Sequence, residues 1–175
     1  NAPPAMRPDL LRAYLKEKGQ PDYRAAQVLK AVFQDGAAHY QEISVLPAAL
    51  RRELEAAVPI LSAIEETVQA SRDGTTYKAV LKLRDGLKIE TVLMSPKPGH
   101  WTACISSQVG CALRCDFCAT GLMGLLRDLT AEEIADQVLF WRQHIRAKHL
   151  PVKLSNIVYM GMGEPFQNLD AVSES

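Results

Sequence analysis

Cys111-Ala-Leu-Arg-Cys115-Asp-Phe-Cys118 places three cysteines within eight residues. Spacings this short let one loop fold around a single metal centre with its sulfurs turned inward. Thiolate is a soft ligand that suits zinc or iron–sulfur clusters. A 4Fe-4S cube ordinarily takes four cysteines. A loop that offers three leaves one iron open to a further ligand, the same logic that separates an open catalytic zinc from a closed structural one. On spacing alone, a zinc knuckle or a chance clustering of thiols stands beside the cluster reading.

All four cysteines of the 175-residue chain lie between Cys104 and Cys118. A disulfide framework would spread them along the chain to staple distant loops. Their concentration points instead to a metal site in a reducing compartment, and so to the cytoplasm. Twenty basic residues balance twenty acidic ones, so net charge neither indicates nor excludes a nucleic-acid partner. No apolar run approaches the ~18 residues of a membrane span. The opening Asn-Ala-Pro-Pro-Ala-Met is no signal peptide, and the missing initiator Met points to a trimmed or incomplete N-terminus.

Working outward from the cysteines, the flanking segments read as a βαβ unit. Trp101 to Ser106 is a short strand, the cysteine loop runs to about Arg127, and a helix starts at Thr130. Thr130-Ala-Glu-Glu133 is a capping box, and Ile134, Val138 and Trp141 carry the helical spacing to about Lys148. Ser155 to Met160 is a second, apolar strand that leads into Gly161-Met-Gly-Glu-Pro165. Strand, loop, helix, strand implies parallel pairing. In barrels of this class the chemistry sits at the C-terminal strand ends, where both the cysteine loop and Gly161–Pro165 fall. The strand 155–160 should present an exposed edge.

Upstream, the period changes. Asp73-Gly74 and Asp85-Gly86 separate β-rich runs near 63–71, 76–83 and 87–94, a strong hairpin signal. In the last run Leu87, Ile89, Thr91 and Leu93 share one face, and Lys88, Glu90 and Val92 the other. Glu90 taken alone reads as a solvated strand residue. Residues 1–58 read as three short helices. One carries Leu10, Leu11, Tyr14 and Leu15 and ends at Gly19. One follows Asp22 to Gly36 through Ala25, Val28, Leu29, Val32 and Phe33. One begins at Pro47 and ends before Pro59. The expected division is a helical accessory domain at 1–58, a β-hairpin extension at 59–97, and the start of an α/β barrel at 98–175. The helical domain reads equally well as packing or as an RNA contact surface. His100, His144 and His149 read as surface residues, and Trp101 and Trp141 as packing groups.

The string Cys104-Ile-Ser-Ser-Gln-Val-Gly-Cys-Ala-Leu-Arg-Cys-Asp-Phe-Cys118, with Arg127-Asp-Leu-Thr130 and Gly161-Met-Gly-Glu-Pro165, closely resembles the dual-specificity RNA methyltransferases of the RlmN type. These belong to the radical S-adenosylmethionine superfamily, with the carbon-8 Cfr type as a near relative. The N-terminal helices and Asp-Gly hairpins resemble that family's accessory region, so the likeness covers nearly the whole chain. It implies an α/β fold: a three-helix domain and hairpins, then the first βαβ unit of a partial (βα)6 barrel, truncated here.

The resemblance also implies chemistry. Cys111, Cys115 and Cys118 would hold a 4Fe-4S cluster, and Gly163 and Glu164 would bind S-adenosylmethionine at the open iron. Cys104 matches the cysteine that releases the covalent RNA adduct by forming a disulfide. Glu90 matches the family's proton acceptor, a role that a buried carboxylate with a raised pKa would suit. The implied reaction methylates carbon 2 of adenine in 23S ribosomal RNA and transfer RNA through a methyl-cysteine. A one-electron reductant such as flavodoxin would be the protein partner, and the enzyme a monomer. One departure stands out: the family's methyl-carrying cysteine lies near its C-terminus, and no cysteine follows Cys118 here. The expectation is therefore a fragment of a longer enzyme. The alternatives are a carbon-8 methyltransferase and a zinc-bound RNA-binding module with Cys104 or His100 as fourth ligand.

Overall fold

The computed structural model describes residues 8–175, so the first seven residues of the expected helical domain lie outside the described residues. The chain divides into two units, one up to Ser62 and one from Ala63 to Ser175.

The first unit is helical. Helix α1 spans Pro8–Glu17 and buries Leu11 and Leu15. Helix α2, Tyr23–Leu29, buries Ala25 and Val28 and runs into a wider π-type turn, Lys30–Gln34, that buries Val32. Helix α3, Ala48–Ala57, follows Pro47 and turns Leu50 and Leu54 inward. These are the three expected helices, with one correction: Phe33, expected on the inward face of the second, is exposed, because the chain widens into the π-type turn after Leu29. Between the second and third lies a short 3-10 turn, Tyr40–Glu42, that the sequence pattern does not announce and that buries Tyr40. The Tyr40 hydroxyl donates to the Val58 carbonyl at 2.8 Å, which gives the buried ring a partner for its polar end.

The second unit is built on one five-stranded sheet in the order β1-β2-β3-β4-β7. Strands β1 (Ala63–Ala70), β2 (Thr76–Leu83) and β3 (Lys88–Lys97) form the two Asp-Gly hairpins. Strand β4 (His100–Cys104) pairs antiparallel with β3, and β7 (Leu154–Val158) pairs parallel with β4. The hairpins and the βαβ unit are therefore continuous in one sheet. Between β4 and β7 the chain forms a small ladder of β5 (Gln108–Gly110) with β6 (Leu125–Asp128), then α5 (Ala131–Ala147). Neither the ladder nor the five-residue helix α4 (Ala119–Met123) inside the cysteine loop is foreshadowed by periodicity, because both are too short to carry one. After β7 come a 3-10 turn, Pro165–Asn168, and α6, Leu169–Glu174. Among the described residues β7 pairs on one side only, and its middle three residues are exposed. No helix among them is long and apolar enough to cross a membrane.

Period-two alternation sets the layers. Leu81 and Leu83 of β2 and Ile89, Thr91 and Leu93 of β3 are buried, and Trp101 and Ala103 continue that face on β4. Helix α5 covers it. Its capping box is present, with the Glu133 amide on Thr130 Oγ1 and the Thr130 amide on the Glu133 carboxylate. Trp141 is fully buried and its indole N–H donates to Thr91 Oγ1 at 3.0 Å, while Thr91 Oγ1 donates to the Cys104 carbonyl at 2.9 Å. Both tryptophans are packing groups, as expected. His100 and His149 are exposed, but His144 is not: it is buried against Trp141, Phe140 and Tyr77. Isolated histidines carry no spacing signal; its place on the inward face of α5 decides the matter.

One buried side chain on α5 is polar and ties the helix to the chain beyond β4. Gln137 accepts from the Ser106 amide at 2.8 Å and donates to the Ser106 carbonyl at 2.9 Å. The segment between β4 and β5 thus finds at the helix the backbone partners that a neighbouring strand would otherwise supply. Replacing Gln137 by Leu leaves two buried backbone groups unpaired, and the expected loss in a urea or thermal melt is about 2–4 kcal/mol. A loss within about 0.5 kcal/mol of zero would show that water replaces the amide at no cost.

Candidate functional site

Two loops meet at the C-terminal ends of β4 and β7. The first, residues 111–124, carries Cys111, Cys115 and Cys118 and is closed at its neck by the β5–β6 ladder, in which Gln108 faces Asp128 and Val109 faces Arg127. The Cys111 amide donates to the Gly124 carbonyl at 3.1 Å. Gly110 has φ +83°, and a Cβ there would fall 1.8 Å from the Gly124 oxygen, so only glycine lets the two sides of the neck close. Inside the loop Arg114 takes a left-handed φ of 50°, which turns the chain between the first two cysteines. Helix α4 then packs over that turn, with Gly121 against the backbone of Arg114 and Cys115.

The neck is anchored by charge. Arg127 donates to Asp85 at 2.6 Å, to both oxygens of Glu133 at 2.7 and 2.8 Å, and to the Asp128 carbonyl at 2.8 Å. The β2–β3 hairpin turn, the loop neck and the first turn of α5 are thereby joined through one guanidinium. Its bonds to Glu133, and then to Asp85, hold the Arg127 pKa above its ordinary value against the opposing effect of burial.

The second loop, Gly161–Pro165, lies against residues 105–108. The Gly161 amide donates to the Ile105 carbonyl, and the Ser107 amide donates to the Met162 carbonyl. Ser106 Oγ accepts from the Met162 amide at 2.8 Å and donates to the Glu90 carbonyl at 2.6 Å. The Glu90 amide in turn donates to the Met162 sulfur at 3.3 Å. Gly163 has φ +97°, and a Cβ there would meet Gln108 Cβ at 2.6 Å. The Glu164 carboxylate accepts from the Phe166 amide at 3.1 Å, as the cap of the following 3-10 turn. Asn168 closes the arrangement, donating to the carbonyls of both Ser107 and Leu129 at 2.8 Å.

Each predicted site residue therefore falls on these two loops or on the sheet beside them. Val92 faces Cys104 across β3 and β4, so Glu90, two residues along, shares the face of Cys104, opposite α5. Glu90 is a solvated strand residue, as its own pattern indicates, and not the buried carboxylate that would suit the implied role. Its side chain is 48% exposed and ion-paired with Lys78 at 2.7 Å, and among the described residues no element covers that part of the face. Cys104 is buried, and burial raises its thiol pKa, partly opposed by a hydrogen bond from the Met160 backbone. Cys118 behaves oppositely: hydrogen bonds from the Gly121 and Thr120 backbone lower its pKa. Sequence reading passed over Ser106, Gln108, Asp128, Met162 and Asn168. The one available signal was the polar run Ser106-Ser107-Gln108 between apolar residues, since buried polar groups need partners.

The donor set suits an iron–sulfur cluster in kind. It is three free thiols on one neck-closed loop, one of them biased toward thiolate. Among the described residues no three His, Cys, Asp or Glu side chains stand close enough together to grip a single ion. Around the loop, Leu113, Phe117, Leu122, Met123 and Leu126 are exposed, with Met160 and Phe166 on the second loop and its flanks.

The chain is similar to known proteins in sequence and in fold. Residues 5–60 match the family described as the ribosomal RNA large subunit methyltransferase N-terminal domain. The chain is 41% identical over 169 residues to the probable dual-specificity RNA methyltransferase RlmN of Chlorobium phaeobacteroides, covering 94% of this chain and 46% of that protein. It is 44% identical over 164 residues to the dual-specificity RNA methyltransferase RlmN of Geobacter sulfurreducens, covering 94% and 43%. Its structure superposes on a radical SAM methyltransferase from Sphaerobacter thermophilus with a TM-score of 0.87 at 41% identity, over 98% of this chain and 50% of that one. The chain spans about half the length of the curated relatives it matches. The resemblance and the α/β fold expected from the sequence are borne out.

The opposite shifts of the two thiols make a pH test. Alkylation with iodoacetamide should reach its half-maximal rate at lower pH for Cys118 than for Cys104, because thiolate is the reactive form. Residue-resolved mass spectrometry reads both, and equal profiles would contradict the stated environments. Gly163→Ala should displace the second loop, seen as faster amide exchange over 161–164 than in Gly74→Ala, where a Cβ meets nothing within 4 Å.

Proposed function

We propose that this chain, matched along nearly its whole length by RlmN-type methyltransferases, supplies the cofactor-binding part of a radical RNA methyltransferase. The reaction proposed is methylation of carbon 2 of adenine in 23S ribosomal RNA and in transfer RNA, through a methyl-cysteine. The observation that carries the reading is the joining of two motifs far apart in sequence. Gly161–Glu164 is hydrogen-bonded along residues 105–108, three residues before Cys111.

In this reading Cys111, Cys115 and Cys118 hold a 4Fe-4S cluster through three of its irons. Bound cluster and S-adenosylmethionine would together supply one-electron chemistry and a 5′-deoxyadenosyl radical, which a carbon too electron-poor for ordinary methyl transfer requires. Gly163, whose missing Cβ makes room for Gln108, brings its backbone beside the cysteine loop to bind S-adenosylmethionine. Glu164, its carboxylate oriented by the Phe166 amide, accepts from the ammonium group of the methionine moiety. Glu90 takes the proton lost from the base, and its exposed position opposite α5 lets it reach a substrate. Cys104, on the same face, is the thiol that frees the methylated RNA by forming a disulfide with the methyl-carrying cysteine. That second cysteine is not among Cys104, Cys111, Cys115 and Cys118, the four that the chain contains. The helical unit contributes RNA contacts, and a flavodoxin-like protein supplies the electron.

Anaerobic reconstitution tests this directly. About four irons with sulfide per chain and a broad visible absorption are expected. Cys111→Ala, Cys115→Ala and Cys118→Ala should each lose it and Cys104→Ala retain it. One zinc per chain without colour would establish a zinc module instead. The 175-residue chain alone should transfer no methyl group to adenine; transfer detected by nucleoside mass spectrometry would refute the methyl-cysteine route.

A further inference from the structure

We propose that Gln108 is a positioning residue: its side-chain amide fixes the separation between the cysteine loop and Gly163–Glu164, and so the pose of a cofactor held by both. The inference rests on the function proposed above for the meaning of that separation, but the tie itself stands on geometry alone. Gln108 has no solvent exposure. It lies on β5, three residues ahead of Cys111, directly across the ladder from Asp128. Its Oε1 accepts from the Glu164 amide at 2.9 Å, and its Nε2 donates to Asp128 Oδ1 at 2.7 Å. Its own amide donates to the Met162 carbonyl at 3.2 Å. Its Cβ fills the space that a side chain on Gly163 would need.

Only a glutamine meets both demands. Asp128, when ionised, can only accept, so Nε2 must turn toward it and Oε1 is left facing the Glu164 N–H. The carboxylate thereby sets which way the amide points. Glutamate at position 108 offers two acceptors and no donor, and its charge would lie against that of Asp128. Leucine offers neither a donor nor an acceptor. Asparagine is a methylene too short to span from β5 to Glu164. A ligand gripped at one end by the cysteine loop and at the other by Glu164 depends on that span, since a displacement of about 1 Å in a reacting centre can cost on the order of a hundredfold in rate.

The two-sided contact provides its own rescue. In Gln108→Glu, a buried carboxylate at position 108 faces the exposed carboxylate of Asp128. In Gln108→Glu with Asp128→Asn, the amide introduced at position 128 can donate to the carboxylate introduced at position 108, whose other oxygen again accepts from Glu164. Asp128→Asn alone keeps a carbonyl acceptor for Gln108. The experiment uses this 175-residue chain in these four versions. Amide hydrogen exchange at Glu164, read without any cofactor, should rise roughly tenfold in Gln108→Glu, where the charge of Asp128 drives the introduced carboxylate away from the Glu164 N–H, and return to within about threefold of the parent in the double variant. Asp128→Asn should stay near the parent. After anaerobic loading, the concentration of S-adenosylmethionine that half-shifts the cluster's electron-spin spectrum should rise roughly tenfold in Gln108→Glu and recover in the double variant.

Unchanged exchange in Gln108→Glu, or no recovery in the double variant, overturns the tie. Exchange that follows the pattern while the affinity stays constant across all four versions overturns the positioning role and leaves a structural bond. If the parent spectrum ignores S-adenosylmethionine altogether, the proposed function fails and the cofactor role of Gln108 falls with it. The exchange arm then still reports whether the two loops are tied.

Discussion

Residues 105–108 run past the end of β4, where the main sheet no longer supplies a full set of backbone partners. Four elements solve that problem together. Gln137 of α5 takes the amide and carbonyl of Ser106. The Gly161–Met162 backbone takes the Ile105 carbonyl and the Ser107 and Gln108 amides. Asn168 takes the Ser107 carbonyl. Ser106 Oγ bridges Met162 to the Glu90 carbonyl on β3. A buried backbone group without a partner costs about as much as a lost hydrogen bond, roughly 1–3 kcal/mol. Satisfying this short run therefore draws the helix, the second loop and the hairpin strand to one place. The cysteine loop begins where the run ends.

This arrangement explains how a βαβ unit becomes a site. The loop that carries the sulfurs and the Gly-Met-Gly-Glu turn are separated in sequence by β6, α5 and β7. In space they share a wall. Ser106 and Gln108 are the studs of that wall: one reaches toward β3 and Glu90, the other toward Asp128 and the neck of the loop. Arg127 braces the neck, tying it to the hairpin turn at Asp85 and to the cap of α5 at Glu133. The hairpins thus help to hold the loop, which gives the accessory strands a part in the site's geometry.

The faces of the sheet divide the labour. Opposite α5 lie Glu90, Lys78 and Cys104, in a setting where a carboxylate stays hydrated and a thiol is shielded. Toward α5 lie Trp141, Thr91, Trp101 and the other packing residues. Burial keeps Cys104 in its protonated form to higher pH, while backbone N–H groups favour the thiolate of Cys118. Cysteines within one fifteen-residue string are therefore shifted in opposite directions by their surroundings.

Local pattern was sufficient for the longer elements and for the chemistry-bearing types. The Asp-Gly pairs marked the hairpins, the alternation of Leu87 to Leu93 assigned the faces of β3, and the capping box at Thr130 fixed the start of α5 to within a residue, because each is a short-range constraint. The cysteine spacing and the Gly-Met-Gly-Glu turn singled out the site for the same reason. What needed the tertiary structure was everything that depends on contact between distant segments: the continuity of hairpins and βαβ unit in one sheet, the ion pair of Glu90 with Lys78, the burial of His144, and the β5–β6 neck. Gln108, Ser106 and Asn168 belong there too. Their residue types are ordinary in a line of sequence, and only the partners brought to them by the fold give them a task.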